Sequence, residues 1–561
     1  MKNTKKTATA KPHGLTNLAR VAGIALACSI SPVAASPIDV VSVTGGKVQG
    51  VTSDIPGVQV FKGIPFAGPT GGNDRFRPPQ PVVPWTGVKR ADSWGDAVLQ
   101  DMQLNPVGTF WGDEFYYDPA FTPRASENGL NLNVFTAAKD AADKLPVYVW
   151  IHGGGNNHGH ASEMEFWATK LAAKGIIVVP VQYRTGPMGF LSLAELSKEN
   201  GGSSGDMAIQ DLIQALQWVR DNIAGFGGDP ANVTVGGQSA GAHNTGVLLR
   251  APAAKGLFHR AVMQSNFNGL VDTTFPKLAE QEKKNADGIE KLFGKPMSLA
   301  DLRAIPGDDW IQKKIGPDNL SIYMAFHRLE GQYVIDDKVF TEASVNLRRP
   351  GAINGIDILI GSNSDERTSL DGGPDKTMSL DDFAAFMQKT YGDGWKSAYE
   401  ASDPRHAYRL MLRSKADNTH ELAIVSAQYM ANHNERSNVY AYYFNQRLPG
   451  RDDEFYGSFH SSDLWYFFNS MRNEPGQRAW TDADHRMADM MSTYLANFIR
   501  NGNPNGDGLS EWPRVGVQPK FMRFADGYAY AVETTPNPAR DAINRREILQ
   551  RFGLDEVAVT R

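Results

Sequence analysis

Cysteine is almost absent from this sequence, since 561 residues contain only Cys28. A single cysteine cannot form a disulfide bond within the chain, so burial of a hydrophobic core has to stabilise the fold. Cys28 falls in an N-terminal segment that we expect to be removed, and the mature chain would then contain no cysteine. The nearby Ala25 fits a lipoprotein processing site poorly, so we expect no lipid anchor there.

Long apolar runs and runs of basic residues are missing from the interior of the chain. No internal stretch reaches the roughly 18 uninterrupted apolar residues that a membrane-spanning helix needs. The formal net charge is −5 at pH 7, and subtracting the five cations of residues 1–35 gives −10. This acidic balance gives no support for nucleic acid as a partner. Hydrophobic residues make up 41% and charged residues 21% of the chain, which is typical of a globular protein with a large core.

The N-terminus differs from the rest in composition. Its cations precede the apolar run Val21–Ala27 and the small residues Val33–Ala35, and they are Lys2, Lys5, Lys6, Lys11 and Arg20. This order is typical of a secretory signal peptide, which predicts removal of 1–35 with cleavage after Ala35. The alternative is a disordered basic tail. We therefore expect a secreted or periplasmic protein in which 36–561 form a single domain.

Apolar strands alternate with helical segments along the chain. The predicted strands are Lys144–Ile151, Gly175–Val181, the run from Val233 into Gln238, Gly355–Ile360 and Asn438–Phe444, and the clearest helix is Asp206–Ile223. Such alternation predicts an α/β fold with a mostly parallel central sheet and helices on both faces. A further helical stretch is expected at about 163–174. The segments 266–351 and 370–430 look helical and irregular, and we interpret them as insertions that form a lid region.

The motif Gly237-Gln-Ser-Ala-Gly241 follows a predicted strand directly. A strand that turns sharply into a helix exposes the hydroxyl of Ser239, and glycine on either side avoids a clash with the neighbouring backbone. The same pattern occurs around Ser203, but a polar segment precedes it rather than a strand. Ser239 is therefore the candidate nucleophile, and Ser203 is interpreted as a loop serine.

A serine nucleophile needs a base and an acid, which follow it along the chain in this kind of site. His460 lies in a loop after a late strand and is the best candidate for the base, whereas His485 looks like the start of a solvated helix. At the end of the strand that includes Ile360, Asp365 and Glu366 both offer a carboxylate. The residues alone leave the choice between these two open.

The run Ile151-His-Gly-Gly-Gly155 follows a predicted strand, and glycines let backbone N–H groups approach a substrate oxyanion. A plain glycine turn is the alternative interpretation. His152, His158 and His160 could instead bind a metal, but no cysteine or carboxylate pair lies nearby at ligand spacing. We therefore expect no metal and no organic cofactor.

Several blocks along most of the mature chain resemble the type-B carboxylesterase family, the α/β-hydrolases that include cholinesterases and para-nitrobenzyl esterases. They appear in the family's order and are Phe61–Ala67, Arg75–Pro81, Ser126–Val134, Asn222–Pro230 and Asn497–Pro513. The resemblance implies an α/β-hydrolase fold and hydrolysis of carboxylic esters.

The resemblance also implies roles for single residues. Ser239 would be the nucleophile, His460 the general base and acid, and Glu366 rather than Asp365 the orienting carboxylate. Ser265 would support that acid. The N–H groups of an oxyanion hole would come from Gly154, Gly155 and Ala240.

Some positions depart from the family pattern. Gln238 replaces a usual glutamate before the nucleophile, and Arg367 replaces a usual glycine beside the acid. Val98 and Gly129 occupy positions of two family cysteines, which are lost together as expected for one disulfide. The polar run Asn156–His160 replaces an aromatic residue and suggests a more polar pocket wall. Residues that could form an aromatic gorge, or simply core, are Trp111, Phe115, Tyr116, Tyr117, Trp465, Phe467 and Phe468.

The sequence thus predicts a serine carboxylesterase that acts on small-molecule esters through an acyl-enzyme. One alternative is the same machinery acting on a carbamate, lactone, amide or polyester-derived bond. A non-catalytic adhesion domain is a remote alternative, because the three triad residues are all present. The motifs specify neither the natural ester nor the oligomeric state.

Overall fold

A computed structural model describes residues 38–329, 331, 333–472 and 478–560. The chain divides into two units, Met1–Ala35 and Ser36–Arg561, and all described residues belong to the second. The predicted signal peptide and Cys28 lie outside the described residues. Among the described residues, no helix combines the length and apolar character that crossing a membrane requires.

The strands are numbered in chain order. They are β1 Val40–Val43, β2 Gly46–Gln49, β3 Val51–Thr52, β4 Gln59–Pro65, β5 Val88–Arg90, β6 Ala97–Val98, β7 Ala125–Ser126, β8 Asn131–Thr136, β9 Leu145–Ile151, β10 Ile177–Val181, β11 Gly228–Gln238, β12 Arg260–Gln264, β13 Lys314–Ile315, β14 Leu320–Ser321, β15 Asp357–Asn363, β16 Val439–Phe444, β17 Phe521–Ala525 and β18 Tyr528–Val532.

Eleven of these strands form one sheet in the order β18-β17-β16-β15-β12-β11-β9-β10-β8-β4-β3. The central strands from β17 to β10 run parallel. Antiparallel strands complete both edges, β18 on one side and β8, β4 and β3 on the other. The parallel centre matters for function because the carboxyl ends of β9, β11, β12 and β15 all lie at one edge of the sheet.

The central strands are buried on both faces, as their unbroken apolar sequences predict. In β9, Val147, Val149 and Ile151 pack into one hydrophobic cluster, while Tyr148 and Trp150 pack into the cluster on the opposite face. Side chains of a strand point alternately to its two faces, so this alternation places helices on both sides. The predicted α/β-hydrolase fold is confirmed.

The helices cover both faces of the sheet and fill the connections. They are α1 Phe110–Phe115, α2 Thr169–Ala172, α3 Gly186–Phe190, α4 Ala194–Glu199, α5 Met207–Asn222, α6 Ala240–Leu248, α7 Leu278–Phe293, α8 Leu299–Ala304, α9 Gly307–Gln312, α10 Ile322–His327, α11 Glu342–Val345, α12 Glu366–Leu370, α13 Leu380–Tyr391, α14 Pro404–His433, α15 Asp453–Tyr456, α16 Leu464–Phe467, α17 Asp482–Asn501, α18 Pro538–Phe552 and α19 Glu556–Thr560.

Two local expectations differ from the structure. The helical stretch expected at 163–174 is a 3₁₀ turn, Met164–Phe166, followed by the four-residue helix α2. The strand before Ser239 begins at Gly228, within a segment that looks like a loop in sequence, and its pairing with β9 shifts between Gly228 and Val233. Glycine and proline in that segment concealed the early pairing, because both residues are typical of loops.

The two predicted insertions contribute little to the wall of the cavity described below. Each supplies one lining residue, Phe267 from the first and Leu370 from the second. Much of the first insertion packs into a separate hydrophobic cluster that contains Trp310 and Phe326. The segment from Asn105 to Tyr116, which sequence reasoning did not assign to the wall as a unit, supplies four lining residues.

Candidate active site

Ser239 stands at the junction of β11 and α6 with φ 56° and ψ −122°. This left-handed conformation is uncommon for a residue with a side chain, and it turns the chain sharply from strand into helix. A Cβ on Gly237 would lie 2.4 Å from the carbonyl carbon of Gly241, and one on Gly241 would lie 2.0 Å from the Ile151 oxygen. The turn therefore requires both glycines. Ser203, in contrast, lies between α4 and α5 and does not line the cavity that contains Ser239.

Glu366 and His460 meet below this turn. The distance from His460 Nδ1 to Glu366 Oε2 is 2.5 Å, and both side chains are buried. The loops that carry them are held together at Asp365, which forms a β-bridge with Phe459. Asp365 itself turns away and pairs with Arg413 at 2.6 Å. Of the two carboxylates between which the sequence could not choose, Glu366 therefore contacts His460 and Asp365 does not.

Two further groups donate hydrogen bonds to the other oxygen of Glu366. Ser265 Oγ lies 2.5 Å and the backbone N–H of Asn363 lies 2.7 Å from Oε1. These donors supply the hydrogen bonds that a buried carboxyl oxygen needs in place of water. The fully buried Glu366 is therefore satisfied on both oxygens and is fixed in orientation.

A buried carboxylate that sequence reasoning missed lies beneath this group. Asp463 accepts hydrogen bonds from Tyr442 Oη at 2.7 Å, Gln264 Nε2 at 3.1 Å and Asn363 Nδ2 at 3.2 Å. Burial raises the pKa of Asp463, and the nearby charge of Glu366 raises it further. Its position three residues after His460 was the only signal in the sequence.

The imidazole of His460 also contacts the side chain of Gln238, the residue before the nucleophile. Gln238 Nε2 lies 3.1 Å from His460 Nε2. Ser239 and His460 line the same cavity, and between these two described side chains the structure shows no hydrogen bond. Catalytic hydrogen bonds often form only when substrate is bound, so this arrangement is compatible with a nucleophile and its base.

Gly154 and Gly155 line the same cavity as Ser239, and Ala240 follows Ser239 directly in the chain. Gly154 and Gly155 have φ values of 99° and 62°, which favour glycine, and a Cβ on Gly154 would lie 2.2 Å from the His158 oxygen. Ala240 is the first residue of α6, where N–H groups lack a partner within the helix. The described residues provide no hydrogen-bond acceptor for these three N–H groups.

Ser239 and His460 line a cavity of about 340 Å³. Of the seven aromatic residues considered for a gorge, Trp111, Phe115 and Tyr116 line it. Trp465, Phe467 and Phe468 belong to the hydrophobic core instead. Trp150, Phe166 and Phe267 also line the cavity and were not singled out from sequence. Six aromatic side chains therefore line part of the wall, which suits an ester with apolar parts.

The polar run after the glycine loop divides between the cavity and the core. His158 lines the cavity, and burial lowers its pKa to about 4. Asn156 is buried and accepts hydrogen bonds from Tyr183 and Asn244. Burial also lowers the pKa of His152 to about 4 and of His160 to about 3. Among the described residues, no three His, Cys, Asp or Glu side chains are placed to hold a metal ion.

Two other departures from the family pattern have a structural explanation. Arg367 does not pair with Glu366, because its guanidinium binds Asp371 at 2.6 Å. Gly129 packs against the backbone of Val98, where a Cβ would lie 2.5 Å from the Val98 nitrogen. The positions of the two absent cysteines are thus neighbours in space.

Comparison with known proteins identifies the family of this chain. A sequence model described as the carboxylesterase family matches residues 37–540. The chain belongs to the carboxylesterase family. It is 31% identical over 521 residues to fumonisin B1 esterase of Sphingopyxis macrogoltabida, covering 89% of each chain. It is 32% identical over 483 residues to para-nitrobenzyl esterase of Bacillus subtilis, covering 84% of this chain and 92% of the relative.

Solved structures agree with this family. The structure of a thermophilic para-nitrobenzyl esterase has a TM-score of 0.71 and 27% sequence identity to this chain. The alignment covers 91% of this chain and 100% of the other. A carboxylesterase of Geobacillus stearothermophilus has a TM-score of 0.70 at 27% identity, covering 90% of this chain and 99% of the other. The chain with the Ser239 turn is thus an enzyme that hydrolyses carboxylic esters of small molecules, as its sequence predicts.

Proposed function

We propose that this carboxylesterase cleaves its ester through an acyl-enzyme on Ser239, with His460 as the proton carrier and Glu366 as the carboxylate that orients it. The observation that supports this most is the short contact of Glu366 Oε2 with Nδ1 of His460, whose side chain lines the cavity that contains Ser239. That contact fixes the imidazole through Nδ1 and leaves Nε2 as the nitrogen that would exchange the proton with Ser239.

In the first half of the reaction, His460 Nε2 takes the proton of Ser239 as Oγ attacks the ester carbonyl carbon. The tetrahedral intermediate collapses, the bond to the leaving oxygen breaks, and His460 returns the proton to the departing alcohol. In the second half, His460 activates water, which releases the acid and restores Ser239. Glu366 stabilises the imidazolium in both halves.

The developing oxyanion would be bound by the N–H groups of Gly154, Gly155 and Ala240. Their support is the positive φ of both glycines and the position of Ala240 at the start of α6. Preorganised donors of this kind stabilise the transition state more than the ground state. Ser265 acts as a positioning residue, since its hydroxyl reaches Glu366 and not the cavity.

A fluorophosphonate probe tests the proposal. We expect one probe to attach per chain, to abolish ester hydrolysis, and to map to the peptide that contains Ser239. Ser203→Ala is the matched control, because Ser203 carries the same local motif, and it should be labelled like the unmodified protein. Labelling of a Ser239→Ala variant at another residue would contradict the assignment.

We also propose that 1–35 form a signal peptide and 36–561 one catalytic domain, with a secreted or periplasmic destination. The cations before Val21–Ala27 and the match of the family from residue 37 support this boundary. N-terminal sequencing of exported protein should begin at Ser36. Recovery of the active protein only inside the cell with its N-terminus uncleaved would contradict it.

A further inference from the structure

The short helix α1 forms part of the wall of the cavity described above. Its residues Trp111 and Phe115 both line the cavity, and the Trp111 ring meets the imidazole of His460 edge-on, with ring centroids 6.4 Å apart. The segment 98–129 that contains α1 has no cysteine, so no disulfide bond holds it in place. Non-covalent contacts therefore have to fix the position of this helix.

Glu114 lies between these two aromatic residues in α1, and its carboxylate accepts hydrogen bonds from two side chains outside the segment. Arg478 Nε lies 3.0 Å from Oε1 and Arg478 Nη2 lies 2.5 Å from Oε2, so the guanidinium binds both oxygens. Trp465 Nε1 donates to Oε1 at 3.0 Å. Only 10% of the Glu114 side chain and 11% of the Arg478 side chain is exposed, so salt screens this pair weakly.

Arg478 also contacts the part of the chain that carries the base. Its Nη1 donates to the backbone oxygen of Pro449 at 2.6 Å. Its guanidinium lies over the ring of Phe459, 5.1 Å from the centroid, and Phe459 directly precedes His460. One arginine thus connects α1 to the loop that carries the catalytic imidazole.

Other contacts of α1 fix its position less strictly. Phe115 stacks on Trp465 with ring centroids 5.6 Å apart, but the burial of apolar rings is non-directional and tolerates small shifts. Asp113 pairs with Arg451 at 4.0 Å, and both side chains are exposed, so this pair contributes little. A guanidinium bound to both oxygens of a carboxylate has a defined plane and distance. The Glu114 contact therefore determines where α1 lies.

We propose that Glu114 and Arg478 are positioning residues that hold α1 in place, so that its two aromatic residues limit the size of the ester that reaches Ser239. This inference rests on the proposed function, because the ester has to react at Ser239. Neither member of the pair lines the cavity or touches the reacting atoms. Without the pair, α1 would shift, and the cavity would bind small esters less tightly and admit larger ones.

Esters that differ in size test this inference on both sides of the ester bond. On the acyl side, 4-nitrophenyl benzoate is compared with 4-nitrophenyl acetate, and on the alcohol side, 1-naphthyl acetate is compared with phenyl acetate. Glu114→Gln should raise the kcat/KM of the larger ester relative to the smaller one by about fivefold or more in at least one pair. An unchanged or lower ratio in both pairs would overturn the inference.

The separate constants for the smaller ester of the responding pair distinguish a displaced wall from a loss of folded enzyme. In Glu114→Gln, KM should rise by about fivefold, whereas kcat should stay within about threefold because Glu366 and His460 keep their contact. Glu421→Gln is the matched control, since Glu421 is 8% exposed, pairs with Arg545 at 3.0 Å and does not line the cavity. The same changes in the control would overturn the inference.

Arg478→Lys provides the answer if Glu114→Gln does not fold, because lysine keeps the positive charge. An ammonium group cannot bind both oxygens of Glu114 in one plane as a guanidinium does. The size ratio should therefore rise in Arg478→Lys as well. A ratio equal to that of the unmodified protein would count against the inference in the same way.

Hydrogen exchange measures the position of α1 without a substrate. The amide hydrogens of Phe110–Phe115 should exchange about tenfold faster in Glu114→Gln than in the unmodified protein or in Glu421→Gln. Equal exchange in all three proteins would overturn the inference. Failure of the proposed function has a different signature, since fluorophosphonate would then not label Ser239 in the unmodified protein.

Discussion

Replacing Ser239 by alanine is expected to lower kcat for 4-nitrophenyl butyrate by about 10⁵-fold. The variant has no nucleophile at the turn, so no acyl-enzyme can form. Activity well above the uncatalysed rate should remain, because the cavity and the N–H groups around Gly154 still bind the substrate and its oxyanion. Steady-state kinetics with the purified variant provide the measurement.

The fold should not change in this variant. Ser239 already has a positive φ, and alanine is no more strained there than serine, so the free energy of unfolding in urea should stay within about 0.5 kcal/mol. Ser203→Ala should retain full activity. A Ser239→Ala variant with activity within tenfold of the unmodified enzyme would contradict the assignment of the nucleophile.

Replacing His460 by alanine is expected to lower kcat by a similar factor, about 10⁴-fold or more. Without the imidazole, no group in contact with Glu366 can take the proton of Ser239. The variant also leaves Glu366 without one of its partners, although Ser265 and the Asn363 N–H still donate to it. We therefore expect a loss of about 1–3 kcal/mol in the free energy of unfolding.

The double variant Ser239→Ala/His460→Ala shows whether the two residues act together in one triad or contribute to the rate independently. Ser239→Ala and His460→Ala act on one proton transfer, so their losses should not add, and the double variant should be about as active as either single variant. His485→Ala is the control, because His485 lies in α17 and does not line the cavity. Normal activity of His460→Ala, or a loss in His485→Ala instead, would show that another histidine is the base.

The sequence predicted the turn at Ser239 because its cause is local. A β-branched strand, two glycines and a helix follow one another, and the structure shows that a Cβ at Gly237 or Gly241 would strike backbone. Ser203 shares the motif but lacks the strand. Strand context therefore carries the information that the short pattern does not.

The choice between Asp365 and Glu366 as the partner of His460 depends on residues that are distant in the sequence. Asp365 is turned away by Arg413 in α14, and Glu366 is held by Ser265 after β12 and by His460 after β16. These partners are far apart along the chain, and spacing does not predict them. Family resemblance pointed to Glu366, whereas the residues alone could not.

The cavity wall was the least predictable part. Amphipathic helices after residue 266 indicate that one face is buried, but not which surface covers it, and most of this segment packs around Trp310. Glu163 and Glu165 fall in the stretch 163–174, which the sequence predicted as helical and which is a 3₁₀ turn at this point. Their burial and their position in the cavity wall are properties of the folded chain, which spacing does not predict.

Trapping the covalent intermediate tests the central claim most directly. With an activated ester such as 4-nitrophenyl butyrate, deacylation limits turnover and the acyl-enzyme accumulates. We predict that acid quenching during turnover, followed by proteolysis and mass spectrometry, finds a butyryl group on Ser239. A butyryl group on a different residue, or none at saturating substrate, would contradict the account.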